Sequence, residues 1–441
     1  MTTTAKFSLI LVSLLFLASL SGLGTSPALA QENIIHRFVG QPTDGYFPIG
    51  SLISDETGNL YGVTYSGGTF GQGTVFKLTR PPAKTGWHES VLYSFKGGAN
   101  GANPAGGLVF DTKGNLFGTT YNGGAGSFPG GVVYELSPAG EGHWTLTVLF
   151  DFSTSNTAVG LNPQGALAID AAGDLFGVAA AGGAGMADDC GDTGCGTVFE
   201  LQPPAVTGAG WNLIDIHDFL VRIPDGLAPN SILFGPNGDL FGTTCCSIGK
   251  GSGTVFKMVP PTSGGAWKEE ILYAFTGNVG DGDGYRPNGI TPDGKGGFFG
   301  TTEQGGVSSS GNGTVFHLTH TGSTWTELVL YAFTGADDGA APEGGVLVDS
   351  SGNLYGTTER GGSAACTANG GVGCGTVFKL SPPAQAGGAW TLTTIYDFVG
   401  GTDGVGPQGS LRFEDGVLYG LTGFGGSSAN TGSGTVFRVE P

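Results

Sequence analysis

The stretch WTELVLYAF, residues 325–333, is one of six versions of a single phrase, each with a tryptophan followed eight residues later by a phenylalanine. The others are WHESVLYSF (87–95), WTLTVLFDF (144–152), WNLIDIHDF (211–219), WKEEILYAF (267–275) and WTLTTIYDF (390–398). Every tryptophan in the chain is used in this way. A fixed period of this kind marks a repeat architecture, in which one unit cannot bury its apolar face alone and must stack on its neighbours.

Three further segments complete each unit. The first is exemplified by PAGGLVFD (104–111), the second by NLFGTT (115–120) and the third by GTVFKL (73–78); the tryptophan segment is the fourth. All are short, rich in β-branched and aromatic residues, and bounded by Gly, Asn, Asp or Pro, which predicts antiparallel strands. The third segment opens on Gly73, Gly131, Gly196, Gly253, Gly313, Gly375 and Gly434, seven glycines spaced by 57 to 65 residues. Seven units of four strands predict an all-β fold, a seven-bladed β-propeller with four antiparallel strands per blade. Aromatic pairs such as Tyr61 with Phe76, and Phe117 with Tyr134, are expected to be buried where blades pack.

The seventh unit stops after its third strand, GTVFRVE (434–440). The missing fourth strand is supplied by residues 34–38, IIHRF, whose Phe38 occupies the phrase-ending position. The N-terminal strand is therefore expected to pair with the C-terminal blade and close the ring, removing free sheet edges. Residues 1–30 read as a secretory signal, with Lys6, an apolar run from Phe7 to Leu20, and small residues ending at Ala28-Leu29-Ala30. Residues 31–441 are then one propeller domain, exported to the extracellular space or periplasm and expected to be monomeric.

Charged residues make up 12% of the chain and the net charge is −19, which repels phosphate backbones, so nucleic acid is excluded as a partner. No stretch of the processed chain reads as a membrane span. Six cysteines suit an oxidising compartment. Cys190 with Cys195, and Cys366 with Cys374, lie in equivalent glycine-rich loops and read as local disulfides. The adjacent Cys245 and Cys246 leave three possibilities open: a vicinal disulfide, reduced thiols, or pairing elsewhere.

The Gly67-Gly68 pair, a strand carrying Phe76 and the following Trp87 resemble the layout of kelch-type blades. More closely, the pattern L-x-x-D-x-x-G-N-L-Y-G-T-T-x-x-G-G…G-T-V-F-K-L, nearly complete in residues 347–380, resembles the GloVer repeat of secreted bacterial proteins. That resemblance spans the predicted domain. It implies export and a propeller-like repeat, and it implies no settled reaction and no catalytic residues.

Two loop sets fall at one end of the blades. In the first, Asp-Gly-x-x-Pro recurs, as in Asp44–Pro48, Asp225–Pro229, Asp283–Pro287, Asp338–Pro342 and Asp403–Pro407. It reads chiefly as a turn device, with a carboxylate ring facing the channel as the functional alternative. Asp281-Gly282-Asp283-Gly284 is a poor match to a calcium loop, since Tyr285 stands where a ligand is needed. In the second set, the two residues after the second strand's Thr-Thr vary while their surroundings stay fixed. They are Tyr65-Ser66, Tyr121-Asn122, Ala180-Ala181, Cys245-Cys246, Glu303-Gln304, Glu359-Arg360 and Gly423-Phe424.

Freely varying positions on a pinned scaffold are where recognition is built. This predicts a binding or structural module whose channel mouth recognises a glycan or a cell-surface protein through Tyr65, Tyr121, Glu303, Glu359, Arg360 and Phe424. An alternative is a polysaccharide-cleaving enzyme using Glu303 and Glu359, on adjacent blades, as its carboxylate pair. A third is a cofactor-bearing oxidoreductase using Cys245-Cys246 near the channel. On the first reading no cofactor is expected. The six histidines read as non-equivalent, so neither a Ser-His-Asp triad nor a histidine metal centre is predicted.

Overall fold

The computed structural model describes residues 33–441 except for 83–85, 154–158, 184–189, 191–193, 207, 221–224, 247–251, 263, 278–281, 307–310, 363–365, 367–371, 386 and 428–431. Residues 1–30, read above as a signal, and Asp281 lie outside the described residues. Seven antiparallel sheets stand in a ring, six of them running from an innermost first strand to an outermost fourth strand in chain order. The first blade shows the plan, with strands Gly45–Ser54, Leu60–Gly67, Thr74–Thr79 and His88–Ser94. In the second and sixth blades the innermost strand is split, as Ala102–Pro104 with Val109–Phe110 and as Ala340–Pro342 with Leu347–Val348. A 3-10 turn is formed by Gly98–Asn100.

The seventh blade takes strands Gly404–Glu414, Val417–Gly425 and Thr435–Val439 from the C-terminus and Asn33–Arg37 from the N-terminus. Ile34 lies opposite Phe437, His36 opposite Val436, and the Phe38 N–H donates to the Gly434 carbonyl at 3.0 Å. The ring is therefore latched by both ends of the chain, as expected.

The repeated residues each have a packing task. In the second strand, Gly62 lies directly opposite Phe76, and a Cβ there would come within 2.6 Å of that ring; the same relation holds between Gly356 and Phe378. Hydrogen is the only side chain that lets the ring lie across the sheet. Next to it, a buried hydroxyl pair joins second and third strands, Thr64 with Thr74 at 2.8 Å and Thr302 with Thr314 at 2.9 Å. Such pairs satisfy polar atoms that burial would otherwise penalise.

Between blades, the phrase-ending phenylalanine of one blade packs edge-to-face on the third-strand aromatic of the next. The contacts are Phe38–Phe76, Phe95–Tyr134, Phe152–Phe199, Phe219–Phe256, Phe275–Phe316, Phe333–Phe378 and Phe398–Phe437, all with centroids 5.1–5.3 Å apart. Edge-to-face geometry aligns ring quadrupoles and adds to area burial. The aromatics expected to be buried between blades are buried; Tyr61 and Phe76 serve opposite faces of their blade, Tyr61 packing on Phe110 of the second blade. Phe117 and Tyr134 are likewise split between interfaces, because neighbouring residues of paired strands alternate in direction. Tryptophans cover the outer edge of the preceding blade, as Trp87 does on Tyr419 at 5.9 Å and Trp390 on Phe299 at 6.1 Å.

Candidate functional site

The Asp-Gly-x-x-Pro loops define how the channel mouth is built. Their aspartates do not ring the channel. Asp44, Asp283 and Asp403 are buried, and each caps its own loop: Val39, Thr276 and Val399 donate backbone N–H groups to them at 2.8–2.9 Å. Tyr273, Tyr331 and Tyr396 add hydroxyl donors to Asp283, Asp338 and Asp403.

The residue before the proline carries a feature that sequence reasoning missed. Phe47, Asn103, Asn162, Ala228, Arg286, Ala341 and Gly406 all have φ between 49° and 64°. Side-chain-bearing residues pay for this left-handed turn in strain. The turn aims each N–H at the residue ahead of the preceding blade's third strand, Ser433, Gln72, Gly130, Cys195, Ser252, Asn312 and Cys374 respectively, at 2.7–2.9 Å. One backbone hydrogen bond of the same design thus crosses every blade junction. The loop disulfides Cys190–Cys195 and Cys366–Cys374 are formed, so two of these acceptor residues are also covalently pinned. The vicinal Cys245–Cys246 bond is formed as well, at the mouth of the fourth blade.

The left-handed residues stand beside the varying positions predicted from sequence, and together they divide the mouth into two arcs. One is aromatic and spans blades seven, one and two. Phe47 lies 4.9 Å from Phe424 and 6.4 Å from Tyr65 between ring centroids, and Phe424 is 37% exposed. Asn103 reaches back to the Tyr65 carbonyl at 2.9 Å, and Asn162 to that of Tyr121 at 2.8 Å, fixing both tyrosine-bearing strand ends.

The other arc is charged and spans blades five and six. Arg286 Nε pairs with Glu303 Oε2 at 3.3 Å, and Arg360 Nη2 with Glu359 Oε2 at 2.9 Å. Between them stands Glu343, which sequence reasoning did not single out. Burial first, and then the charges of Glu359 and Glu303, push its carboxyl up to about 8, while Arg360 and Arg286 pull the other way. At neutral pH it therefore holds its proton. The signal was present in the residue after the proline, which also varies: Ile49, Ala105, Gln164, Asn230, Asn288, Glu343 and Gln408.

These residues line a channel cavity of about 400 Å³ to which all seven blades contribute. Three of its amides are committed to the scaffold, Gln164 to Pro229, Asn230 to Pro287 and Asn288 to Pro342, each bonding the carbonyl of the next blade at 2.9–3.1 Å. A second cavity of about 550 Å³ opens beside the charged arc and is lined by Glu303, Gln304, Asp337 and Arg360. Asp283, the described acidic residue of the calcium-like stretch, has its carboxylate engaged by Thr276 and Tyr273.

Two of the six histidines are equivalent, contrary to the expectation: His36 and His217 each lie two residues before a phrase-ending phenylalanine, Phe38 and Phe219. The equivalence was hidden because His36 lies in the N-terminal strand, displaced from the seventh unit it completes, whereas His217 lies within the third unit.

A family model described as the Gloeobacter/Verrucomicrobia repeat matches residues 24–187 and 229–441. No curated protein matches the chain. Among solved structures, it is similar to a fungal alcohol oxidase of the AA5 family in complex with copper, at 14% identity and a TM-score of 0.53, covering 94% of this chain and 77% of that one. It is also similar to a Mycobacterium tuberculosis puromycin-hydrolyzing peptidase, at 10% identity and a TM-score of 0.51, covering 88% of this chain and 53% of that one. At such identities the shared property is the propeller fold.

Proposed function

This chain belongs to the Gloeobacter/Verrucomicrobia repeat family, and we propose that it uses the family's scaffold as an exported binding module whose channel mouth recognises a glycan, free or displayed on a surface protein. One observation carries the reading: side-chain variation is concentrated at the mouth, on backbone held rigid by the same inter-blade hydrogen bond at every junction. The aromatic arc of Phe47, Tyr65, Tyr121 and Phe424 offers faces on which sugar rings stack. Across the mouth, Arg286, Arg360 and the three glutamates offer the charged and bidentate hydrogen bonding that orients hydroxyls. Formed disulfides and the signal-like residues 1–30 support export.

Glycan-array binding followed by calorimetry on the strongest ligand tests this. Wild type should bind, and Tyr65→Ala/Tyr121→Ala should weaken binding at least tenfold, the loss of about 1.4 kcal/mol. An array with no ligand, or an unaffected double variant, rejects the reading.

Glu343 favours a second reading, glycoside cleavage. A carboxyl held protonated beside Glu303 and Glu359 supplies a general acid next to candidate bases or nucleophiles. Polysaccharide hydrolysis abolished by Glu343→Gln, with ligand binding retained, would establish it; no hydrolysis of any bound glycan by wild type removes it.

A further inference from the structure

The outer rim of the propeller carries two copies of one side-chain cluster. His36, Asp44 and Glu89 meet at the junction of blades seven and one, and His217, Asp225 and Glu269 at the junction of blades three and four. Within each cluster the ligand-capable atoms lie within 4.8 Å of one another. The positions are equivalent in the repeat: the residue two before the phrase-ending phenylalanine, the Asp of Asp-Gly-x-x-Pro, and the residue two after the next tryptophan position, Trp87 or Trp267.

The aspartates accept backbone N–H groups, Asp44 from Val39 and Gly45 and Asp225 from Leu220 and Gly226, but the histidine and one glutamate oxygen of each cluster have no such partner. His36 Nε2 and Glu89 Oε1 are buried without a hydrogen bond, and so are His217 Nε2 and Glu269 Oε1. The glutamate oxygen is orphaned at Glu327 too, where tyrosine replaces the histidine, so the feature particular to these two clusters is the imidazole nitrogen. Buried polar atoms in native folds are satisfied as a rule, so its repetition in both copies points to a missing partner. The spacing fits one. His36 Nε2 lies 3.3 Å from Asp44 Oδ2, and His217 Nε2 lies 3.5 Å from both Asp225 Oδ1 and Glu269 Oε2. Ligands about 2.0–2.1 Å from a tetrahedral metal ion are roughly 3.4 Å apart, so a central cation would need little rearrangement.

We propose that each cluster binds one first-row divalent cation, with zinc the best match, through the imidazole Nε2 and the two carboxylates, water completing the shell. Imidazole with carboxylate suits zinc and its transition-metal neighbours, whereas calcium takes all-oxygen sites. Two carboxylates and a neutral imidazole balance the charge of a divalent ion. The ligands come from the fourth strand of one blade, the connecting loop, and the fourth strand of the next. The ion would therefore tie blades together, at the 7/1 junction fastening the N-terminal strand of blade seven to blade one.

The junction of blades four and five is a built-in control. It keeps the two carboxylates, Asp283 and Glu327, but has Tyr273 where the histidine would be. Untagged full-length protein is dialysed against zinc and the bound metal is counted by mass spectrometry. Two zinc ions per chain are expected. His36→Tyr and His217→Tyr should each remove one, and the double variant both. Tyrosine is the native residue at four other junctions (Tyr93, Tyr273, Tyr331 and Tyr396), so these variants should fold, which a melting curve in chelator checks. Tyr273→His should add a third ion. No bound zinc, or a stoichiometry that the histidine substitutions leave unchanged, overturns the proposal.

Discussion

Phe38, in the N-terminal strand that completes blade seven, packs edge-to-face on Phe76 of the first blade at 5.1 Å, repeating at the 7/1 junction the contact that Phe398 makes with Phe437 at the 6/7 junction. Phe38 is 3% exposed and belongs to the same apolar cluster as Leu52, Leu60 and Leu78. Phe38→Ala should therefore cost about 3–5 kcal/mol, the usual range for emptying a buried aromatic site. A melting temperature within about 1 °C of wild type would show that the 7/1 junction is not part of the cooperative fold.

Gly62 is required by the ring of Phe76 lying across it. Gly62→Ala should destabilise by about 1–3 kcal/mol through overpacking. Gly62→Ala combined with Phe76→Leu should then lose less than the sum of the two single changes, because the smaller side chain vacates the space. Chemical-denaturation midpoints of the four proteins give the comparison, and strict additivity would refute the steric account.

The left-handed residues make a prediction of opposite sign. Ala228 has φ 49°. Ala228→Gly relieves about 1–2 kcal/mol of backbone strain and forfeits about 0.4–1 kcal/mol through the freer unfolded chain. The variant should be slightly more stable than wild type, by up to about 1.5 kcal/mol on these same figures. A clear loss of stability on denaturation would mean that the strain is not there.

Glu343 sets a pH dependence. Its folded value of about 8, raised by burial and then by Glu359 and Glu303, lies above the ordinary unfolded value of about 4.3. The folded state thus holds the proton more tightly, and its contribution is full below about pH 4.3 and lost as pH rises toward about 8. Glu343→Gln cannot ionise. Relative to wild type, its melting temperature should change little at pH 4 and be higher by about 2 °C or more at pH 9. Parallel curves across that window would contradict the assigned environment.

Asp55 works in the other direction. Burial alone would raise it, but hydrogen bonds from Asn59, Thr57 and Tyr61 outweigh that and hold it at about 2. Its contribution is present above the unfolded value near 3.9 and disappears as pH falls through about 2. Asp55→Asn should flatten this part of the acid-unfolding curve, and an unchanged curve between pH 4 and 2 would count against the turn's role.

The propeller was legible because its period is written in large residues: tryptophan and phenylalanine at fixed spacing, glycine where an aromatic ring crosses the strand. The latch of residues 34–38 followed from counting strands at the two ends. What escaped was geometry without a residue signature. Seven left-handed residues carry Phe, Asn, Asn, Ala, Arg, Ala and Gly, so no composition rule marks them. Glu343 escaped for a different reason: its raised pKa comes first from burial and then from Glu359 on the paired strand of its own blade and Glu303 on blade five, neighbours that only the folded ring supplies. The rim clusters likewise join three segments, one of which is displaced to the far end of the chain.

The hydrogen bond that spans each junction is donated by main chain, from a residue whose side chain is not needed for it. The letter at that position can change while the joint it makes does not. If the mouth binds as proposed, ligand preference can drift one sector at a time, with the toroid's assembly and its selectivity under separate control. A library randomised at those seven sites should yield folded proteins of differing taste from a single parent.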